Sequence, residues 1–191
     1  MTGDNDRDFG MGFGGLVSSD IRAKAEWLYG SSSGSTVLKA LFTDGTFAMI
    51  AYRLMQWAQK HQLVPLAMLF NKLNVVLGRC IIGRNACFGP GLVLIHSDGI
   101  VVNSSVRGGR DVKLEHQVTI GAEKGAAPTL GNGVFIGAGA KIVGGVSIGD
   151  GAKVGANAVV LRDVPAGATA VGVPARVADT PEGGSATGDG A

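Results

Sequence analysis

The fold is decided by residues 130–164, LGNGVFIGAGAKIVGGVSIGDGAKVGANAVVLRDV, where an apolar residue returns at every sixth position. A second small or apolar residue lies four positions after each of these apolar residues. Glycine often comes directly after the apolar residue that begins the hexad. A repeat of six is typical of a solenoid of short parallel strands, in which three hexads make one coil. The apolar positions are Leu130, Ile136, Ile142, Ile148, Val154 and Val160, and their partners are Val134, Ala140, Val146, Ala152, Ala158 and Val164.

The repeat reaches back toward Gly78, with interruptions. Its register moves by two residues across 97–99, and the step from Ile120 to Leu130 is ten rather than six, which predicts an extra loop of four residues. Gly108 occupies an apolar position of the repeat, so we expect its coil to be underpacked or bulged there. The earlier apolar positions are Ile82, Phe88, Leu94, Val102, Leu114 and Ile120.

Glycine fits this interpretation. The chain of 191 residues has 32 glycines, and 20 of them lie between Gly78 and Gly172. Glycine weakens helix and strand interiors but suits corners and close backbone approach. We therefore expect the glycines at the corners of coils that stack about 4.8 Å apart.

Residues 19–77 are predicted to be helical. Polar N-cap residues precede a short helix that Gly30 ends, and the stretch 31–35, SSSGS, is predicted to be a loop. Asp44 is expected to cap a longer amphipathic helix, and Pro65 suits the first turn of another. We expect this segment to cover the first coil, since open solenoid ends need caps. It is also apolar enough to rest on a membrane surface.

The remaining domain boundaries follow from these two patterns. Residues 1–18 are rich in glycine and polar residues and are predicted to be a flexible N-terminus. Ser19 and Asp20 are the predicted N-cap residues of the first helix. The solenoid covers 78–177, and residues 178–191 are predicted to be a disordered tail.

Composition narrows the function classes. A net charge of +2 is too small to favour nucleic acid, and the longest apolar run, about five residues, is too short to span a bilayer. The polar stretch MTGDNDRDFG (1–10) does not fit a signal peptide, so a cytoplasmic location is the default expectation. Cys80 and Cys87 are interpreted as small core residues rather than a disulfide framework.

Beyond the repeat, the chain resembles the hexapeptide-repeat acyltransferases, especially the serine acetyltransferase branch and its relatives in surface-polysaccharide biosynthesis. The resemblance implies a left-handed parallel β-helix with an N-terminal α-helical segment. It is carried by GPGLVLIHSDGIVVN (89–103), VTIG (118–121), the stretch 136–165, VGVPARV (171–177) and the helical AYRLMQWA (51–58).

This resemblance implies an O-acetyltransferase that uses acetyl-CoA and no metal. The family's catalytic histidine falls on His96, which would act as general base toward the acceptor hydroxyl. The aspartate that orients it in the family would fall on Ile81, so Asp98 and Glu115 are candidates to replace it. The family's second, acceptor-binding histidine would fall on Ala127.

Coil counting adds His116 to the catalytic candidates His96 and Asp98. If the register shift and the loop preserve the coil count, His96 and His116 lie on the same face one coil apart, about 5 Å from each other. Two close imidazoles disfavour a positive charge on either, which would keep His96 neutral. His116 could instead bind the acceptor, or be an incidental surface residue.

For CoA, the resemblance implies a slot lined by small residues, with cations for the phosphates. It also implies a homotrimer with active sites between neighbouring β-helices. The expected CoA-binding residues are Ala122, Gly137, Ala138, Lys141, Lys153, Gly155, Ala156 and Arg176.

The sequence specifies the acceptor substrate less closely than it specifies the acetyl donor. Because the residues at 81 and 127 depart from the serine-specific pattern, and Asn103 resembles the polysaccharide relatives, we expect a saccharide or surface-glycan precursor. L-Serine is the alternative within the same reaction, and a non-catalytic β-helix scaffold is the alternative of another class. A zinc enzyme of the carbonic anhydrase type is disfavoured because it needs three histidines and His61 lies in the helical part.

Overall fold

The computed structural model describes residues 9–178. In this part of the chain, helices come first and short strands follow. The helices are α1 (Phe13–Tyr29), α2 (Gly34–Leu41), α3 (Thr46–Lys60) and α4 (Val64–Val76). The strands are β1 (Ile81–Ile82), β2 (Cys87–Phe88), β3 (Val93–Leu94), β4 (Val101–Val102), β5 (Arg107–Gly108), β6 (Lys113–Leu114), β7 (Thr119–Gly121), β8 (Thr129–Leu130), β9 (Phe135–Ile136), β10 (Lys141–Val143), β11 (Ser147–Ile148), β12 (Lys153–Val154), β13 (Val159–Val160), β14 (Thr169–Val171) and β15 (Arg176–Val177).

The strands form the three faces of a parallel β-helix. The first face is β1-β4-β7-β10-β13, the second is β2-β5-β8-β11, and the third is β3-β6-β9-β12-β14. Among the described strands, only β15 breaks the parallel pattern, since it folds back antiparallel on β14. Each strand from β1 to β9 pairs with the strand three places later, so strands β1 to β12 make four complete coils. The predicted β-helix with an N-terminal helical segment is confirmed.

The strand pairing also shows both interruptions of the register. On the first face, Ile81 pairs with Val101, Val101 with Thr119, and Thr119 with Lys141. The middle one of these steps equals three hexads. The step before it is longer by two residues, at the register shift, and the step after it is longer by four, in the loop. Both insertions therefore leave the strands in register, which meets the condition on which the coil counting depends.

The predicted inward positions form the core of the β-helix. The six apolar positions from Leu130 to Val160 are at most 3% exposed, and their partners are at most 7% exposed. Because the partners are valine and alanine, the inner volume of each coil is small, which suits a narrow prism.

Gly108 differs from its prediction, because its coil is neither underpacked nor bulged. It pairs in register with Phe88 of the preceding coil, and Phe88 is 1% exposed. A Cβ at Gly108 would lie 2.3 Å from Cδ1 of Phe88. The phenyl ring therefore fills the space that a side chain at 108 would occupy.

Helices α3 and α4 cover the first coil, as expected for a solenoid cap. Met49, Met55 and Ala67 are buried in the same core cluster as Ile82 of β1. Tyr52 also satisfies backbone groups at the open end, since its hydroxyl donates to the Ala86 carbonyl (3.0 Å) and accepts from the Phe88 amide (3.1 Å).

A buried ion pair joins α1 and α3 to the same coil. Arg53 donates to both carboxylate oxygens of Asp20, at 2.7 and 3.0 Å, and both side chains are 1% exposed. Arg53 also donates to the carbonyls of Phe88 and Gly89, while Asp20 accepts from the amides of Gly91 and Leu92. Burial raises the pKa of the Asp20 carboxyl, against the lowering effect of Arg53. The pair thus supplies hydrogen bonds that a further coil would otherwise make.

Three helix boundaries differ from the sequence prediction. Helix α1 begins at Phe13, so Asp20 lies inside it as a core residue rather than at its N-cap. Helix α2 begins at Gly34, inside the predicted loop 31–35, so only residues 31–33 of that loop lie outside a helix. The N-cap of α3 is Gly45, and no side chain caps that helix. The predicted flexible N-terminus, 1–18, is wrong for residues 13–18, which belong to α1. Its residues 1–8 lie outside the described residues, as do residues 179–191 of the predicted disordered tail 178–191.

Cys80 and Cys87 form no disulfide. Cys80 is fully buried, and burial raises the pKa of its thiol to about 12, whereas Cys87 is half-buried. Within residues 9–178, none of the helices is long and apolar enough to cross a bilayer.

Candidate active site

One corner of the β-helix brings the two candidate histidines together. On the third face, Leu94 pairs with Leu114, Leu114 with Ile136, and Ile136 with Val154. The residues two places after each of these strand positions therefore stack in one column along the corner, which we call the histidine column. The column consists of His96, His116, Ala138 and Ala156.

His96 and His116 are neighbours in this column. Their ring centroids are 6.0 Å apart and the rings meet edge to face. The side chains are 54% and 44% exposed, so both imidazoles are accessible to a ligand outside the coil. The placement one coil apart agrees with the coil counting.

The carboxylate that contacts His96 belongs to Asp44. Nδ1 of His96 lies 3.0 Å from Oδ2 of Asp44, which sits in the loop before α3. A carboxylate only accepts, so Nδ1 carries the proton in this contact and Nε2 keeps its lone pair in the neutral ring. This arrangement leaves Nε2 as the proton acceptor that a general base requires.

Sequence reasoning assigned Asp44 to a helix cap. Its other oxygen, Oδ1, does accept from a backbone amide, that of Gly45 at 3.0 Å. The contact with His96, however, spans 52 residues and depends on how the helical segment docks on the first coil. The sequence carried only one signal, a carboxylate at a helix start whose partner was not specified.

Asp98 and Glu115 contact other groups. The Asp98 carboxylate pairs with Nε of Arg79 at 2.7 Å, and both side chains are substantially exposed. Glu115 Oε2 lies 3.6 Å from Nδ1 of its neighbour His116. The carboxylate expected beside His96 is thus supplied from the helical segment rather than from either of these coil residues.

A buried amine lies behind the His96–Asp44 contact. Lys24 of α1 is fully buried and donates to the carbonyl of Leu94 at 2.8 Å and to the carbonyl of Asp44. Burial lowers the pKa of Lys24 to about 8, and the nearby Asp44 charge opposes that shift. Sequence reasoning did not single out Lys24, because nothing in α1 alone distinguishes a buried lysine from a surface one.

Four of the expected CoA-lining residues lie at this corner. Gly137 and Gly155 each precede an alanine of the histidine column, so these four positions below His116 carry no side chain larger than methyl. A Cβ at Gly137 would lie 2.7 Å from the Ala156 amide nitrogen. Gly137 is therefore needed for coil stacking as well as for an open surface.

The other expected CoA-binding residues are more dispersed. Lys141 begins β10 and donates to the Gln117 carbonyl at 2.6 Å, next to His116 in sequence. Lys153 begins β12 and is exposed, and Arg176 lies in β15, where it donates to the Ala175 carbonyl. Ala122 follows β7, at the corner between the first and second faces, and does not join the histidine column.

Two further sequence expectations can be placed. Asn103 accepts from the Ser105 amide at 2.9 Å, which makes it a turn residue between β4 and β5. His61 is the C-cap of α3, and its ring packs at a tilt against Trp57 with the ring centroids 5.0 Å apart. Among residues 9–178 no three histidine, cysteine or acidic side chains gather into a group suited to a metal ion.

Comparison with known proteins adds family information to this geometry. Residues 127–162 match the family model described as bacterial transferase hexapeptide (six repeats). Serine acetyltransferase of Helicobacter pylori strain J99 is 39% identical over 140 residues, covering 71% of this chain and 82% of that protein.

Two solved structures have the same fold. A serine acetyltransferase in complex with CoA is 34% identical with a TM-score of 0.78, covering 85% of this chain and 68% of that chain. Soybean serine acetyltransferase complexed with serine is 34% identical with a TM-score of 0.76, covering 86% of this chain and 70% of that chain.

Proposed function

The chain belongs to the serine acetyltransferase family of left-handed hexapeptide-repeat transferases, and from this we propose that it transfers acetyl from acetyl-CoA to the hydroxyl of L-serine. It is an acyltransferase by membership of that family, which disfavours the non-catalytic scaffold. The structural observation that carries the proposal is His96, an accessible imidazole whose Nδ1 is held by a carboxylate.

The saccharide acceptor predicted from the sequence is wrong. A relative that is 39% identical is a serine acetyltransferase, and one solved neighbour is complexed with serine. The prediction was drawn from residues that depart from the serine pattern, but a departure does not identify what replaces them. Asp44 contacts His96 although position 81 is isoleucine, and Asn103 serves a turn.

In the proposed reaction His96 acts on the acceptor. Nε2 of His96 takes the proton of the serine hydroxyl as the hydroxyl oxygen attacks the thioester carbonyl carbon. The new C–O bond forms, the C–S bond then breaks, and the proton passes from His96 to the departing thiolate. The products are O-acetylserine and CoA, so atoms and charge balance. His116 lies close enough to share in binding the acceptor.

CoA is proposed to lie along the histidine column below His116. The absence of large side chains at Gly137, Ala138, Gly155 and Ala156 leaves backbone groups open to the pantetheine arm. Lysine and arginine side chains farther out would meet the phosphates. The proposed cationic residues are Lys141, Lys153 and Arg176, and Ala122 is retained as a proposed contact at the adjoining corner.

A homotrimer is proposed as the assembly. The first face of the β-helix exposes apolar side chains on its first two strands, β1 and β4. Ile81 is 47% exposed and Val101 is 38% exposed. Packing between β-helices would cover such positions and enclose ligands bound at the exposed histidines. Sedimentation measurements with and without CoA would test the trimer directly.

The acceptor is tested by product analysis. Purified protein with acetyl-CoA is offered L-serine and, separately, a set of monosaccharides, and products are identified by mass spectrometry. We expect O-acetylserine as the major product and little acetylated sugar. Efficient sugar acetylation without turnover of serine would overturn the proposal.

A further inference from the structure

The His96–Asp44 contact is exposed to solvent, which raises the question of what keeps it formed. The two side chains are 54% and 62% exposed. Exposed charged pairs contribute little by themselves, because water competes and side-chain entropy opposes a fixed geometry. A lasting contact needs a more rigid framework behind it.

Lys24 provides a buried link on both sides of this contact. Its ammonium donates to the carbonyl of Leu94, two residues before His96, and to the carbonyl of Asp44 itself. Lys24 is 0% exposed, so these bonds are shielded from water. One side chain of α1 therefore ties the strand that carries the imidazole to the loop that carries the carboxylate.

Gly45 allows the loop to come this close. It has a φ of +80°, a conformation that favours glycine, and its amide donates to Oδ1 of Asp44. A Cβ at this position would lie 2.4 Å from the Leu94 carbonyl oxygen and 3.1 Å from Nζ of Lys24. Any other residue would push the loop away from β3.

We propose that Asp44 and Lys24 are positioning residues for His96, with Asp44 selecting its Nδ1-protonated tautomer and Lys24 holding Asp44 in place. Neither residue needs to touch substrate for this role. The inference rests on the proposed function only in naming His96 as the base. It explains how the site works without a carboxylate at position 81: the helical cap, rather than the β-helix, supplies the partner of the imidazole.

The test uses two variants with matched controls. Asp44→Asn keeps the size of the side chain but provides an amide that can either accept from or donate to Nδ1, so the tautomer is no longer specified. Lys24→Met keeps the apolar stem and removes the ammonium. Glu26→Gln on α1 and Lys72→Met on α4 are the controls, since both positions are exposed.

Two readouts separate positioning from a merely structural role. Steady-state kinetics with L-serine should show kcat lowered about 100-fold by Asp44→Asn and about 10-fold by Lys24→Met, within the range of general-base and outer-shell effects. The KM values for L-serine and for acetyl-CoA should stay within about 3-fold of wild type, because neither variant removes a contact with a bound substrate. Nitrogen-15 NMR of histidine-labelled protein should show His96 protonated at Nδ1 in the wild type and a mixed tautomer in Asp44→Asn.

The outcomes distinguish the two proposals. If Asp44→Asn keeps the wild-type kcat or the wild-type tautomer signal, the role of Asp44 is refuted. If only Lys24→Met behaves like its control, the role of Lys24 is refuted. If the wild type does not acetylate serine, the proposed function is overturned. If Asp44→Asn in that case still loses the Nδ1-protonated tautomer of His96, the positioning role is supported. Thermal unfolding of each variant verifies that the fold is retained.

Discussion

The contact between Gly108 and Phe88 allows a quantitative test of how the coils pack. In Gly108→Ala the new Cβ would lie 2.3 Å from Cδ1 and 2.6 Å from Cε1 of Phe88, whereas carbon atoms pack at about 3.5–4.0 Å. The ring must therefore retreat by more than about 1 Å. Tyr52 packs edge-on against it with centroids 6.1 Å apart, and Phe88 is almost fully buried, so little room exists.

The expected magnitude follows from two opposing effects. Overpacking costs about 1–3 kcal/mol, while replacing glycine by alanine restricts the unfolded chain and returns about 0.4–1 kcal/mol. The net loss should be about 1–2 kcal/mol, which lowers the Tm of a domain of this size by about 2–8 °C. Gly121→Ala is the control, because a Cβ there meets nothing within 4 Å.

The assay is a double-mutant cycle measured by urea unfolding. Phe88→Leu shortens the side chain that faces position 108, so in the Gly108→Ala/Phe88→Leu protein the new methyl group fills space that the ring has left. The double variant should be more stable than the sum of the single changes predicts, by about 0.5 kcal/mol or more. Additive effects, or a Gly108→Ala variant as stable as Gly121→Ala, would refute the packing that the structure shows.

Four further outcomes follow from the same structure. Asp20→Asn should cost about 3–5 kcal/mol in urea unfolding, because it leaves the Arg53 guanidinium buried without its countercharge; a loss below about 1 kcal/mol would contradict this. Because burial lowers the pKa of Lys24 from 10.5 to about 8, the unfolded chain binds more protons between those pH values, so wild type should gain stability relative to Lys24→Met as pH rises through that window. Parallel pH–stability curves would argue against a buried ammonium. Gly137→Ala should destabilise more than Gly121→Ala, since its Cβ meets backbone atoms 2.7 and 2.9 Å away, and equal melting temperatures would show that the coils can separate. CoA at about 100 times its Kd should stabilise the folded protein by about 2.7 kcal/mol, and an unchanged melting temperature at high CoA concentration would contradict binding.

The β-helix could be predicted from sequence because each coil repeats the same local requirement. An inward apolar residue must recur at each strand, so the apolar positions from Leu130 to Val160 show the six-residue period. The longer step from Ile120 to Leu130 predicts the extra loop, and the pairing of Thr119 with Lys141 confirms it. The placement of His96 beside His116, one coil apart, followed from the same counting. Gly108 was misjudged because the repeat describes one coil at a time, whereas Phe88 fills the gap from the coil before.

The partners of the active-site residues could not be predicted in this way. Asp44 and Lys24 reach His96 only because α1 and the loop before α3 dock on the end of the first coil, and no short-range pattern encodes that docking. Sequence proximity to the histidines therefore favours Asp98 and Glu115, which contact other groups in the structure. The saccharide acceptor was wrongly predicted for a related reason. The departures at positions 81 and 127 point away from serine, but the sequence does not show that Asp44 supplies a carboxylate to His96.

The most direct test of serine acetylation by His96 is the rate of CoA thiol release from acetyl-CoA with L-serine, measured for wild type, His96→Ala and His61→Ala. His61 is a suitable control because it lies at the end of α3, away from the histidine column. Wild type and His61→Ala should turn over serine at similar rates, and His96→Ala should be slower by about 100-fold or more. Serine-dependent thiol release that is undiminished in His96→Ala would contradict the assignment of His96 as the general base.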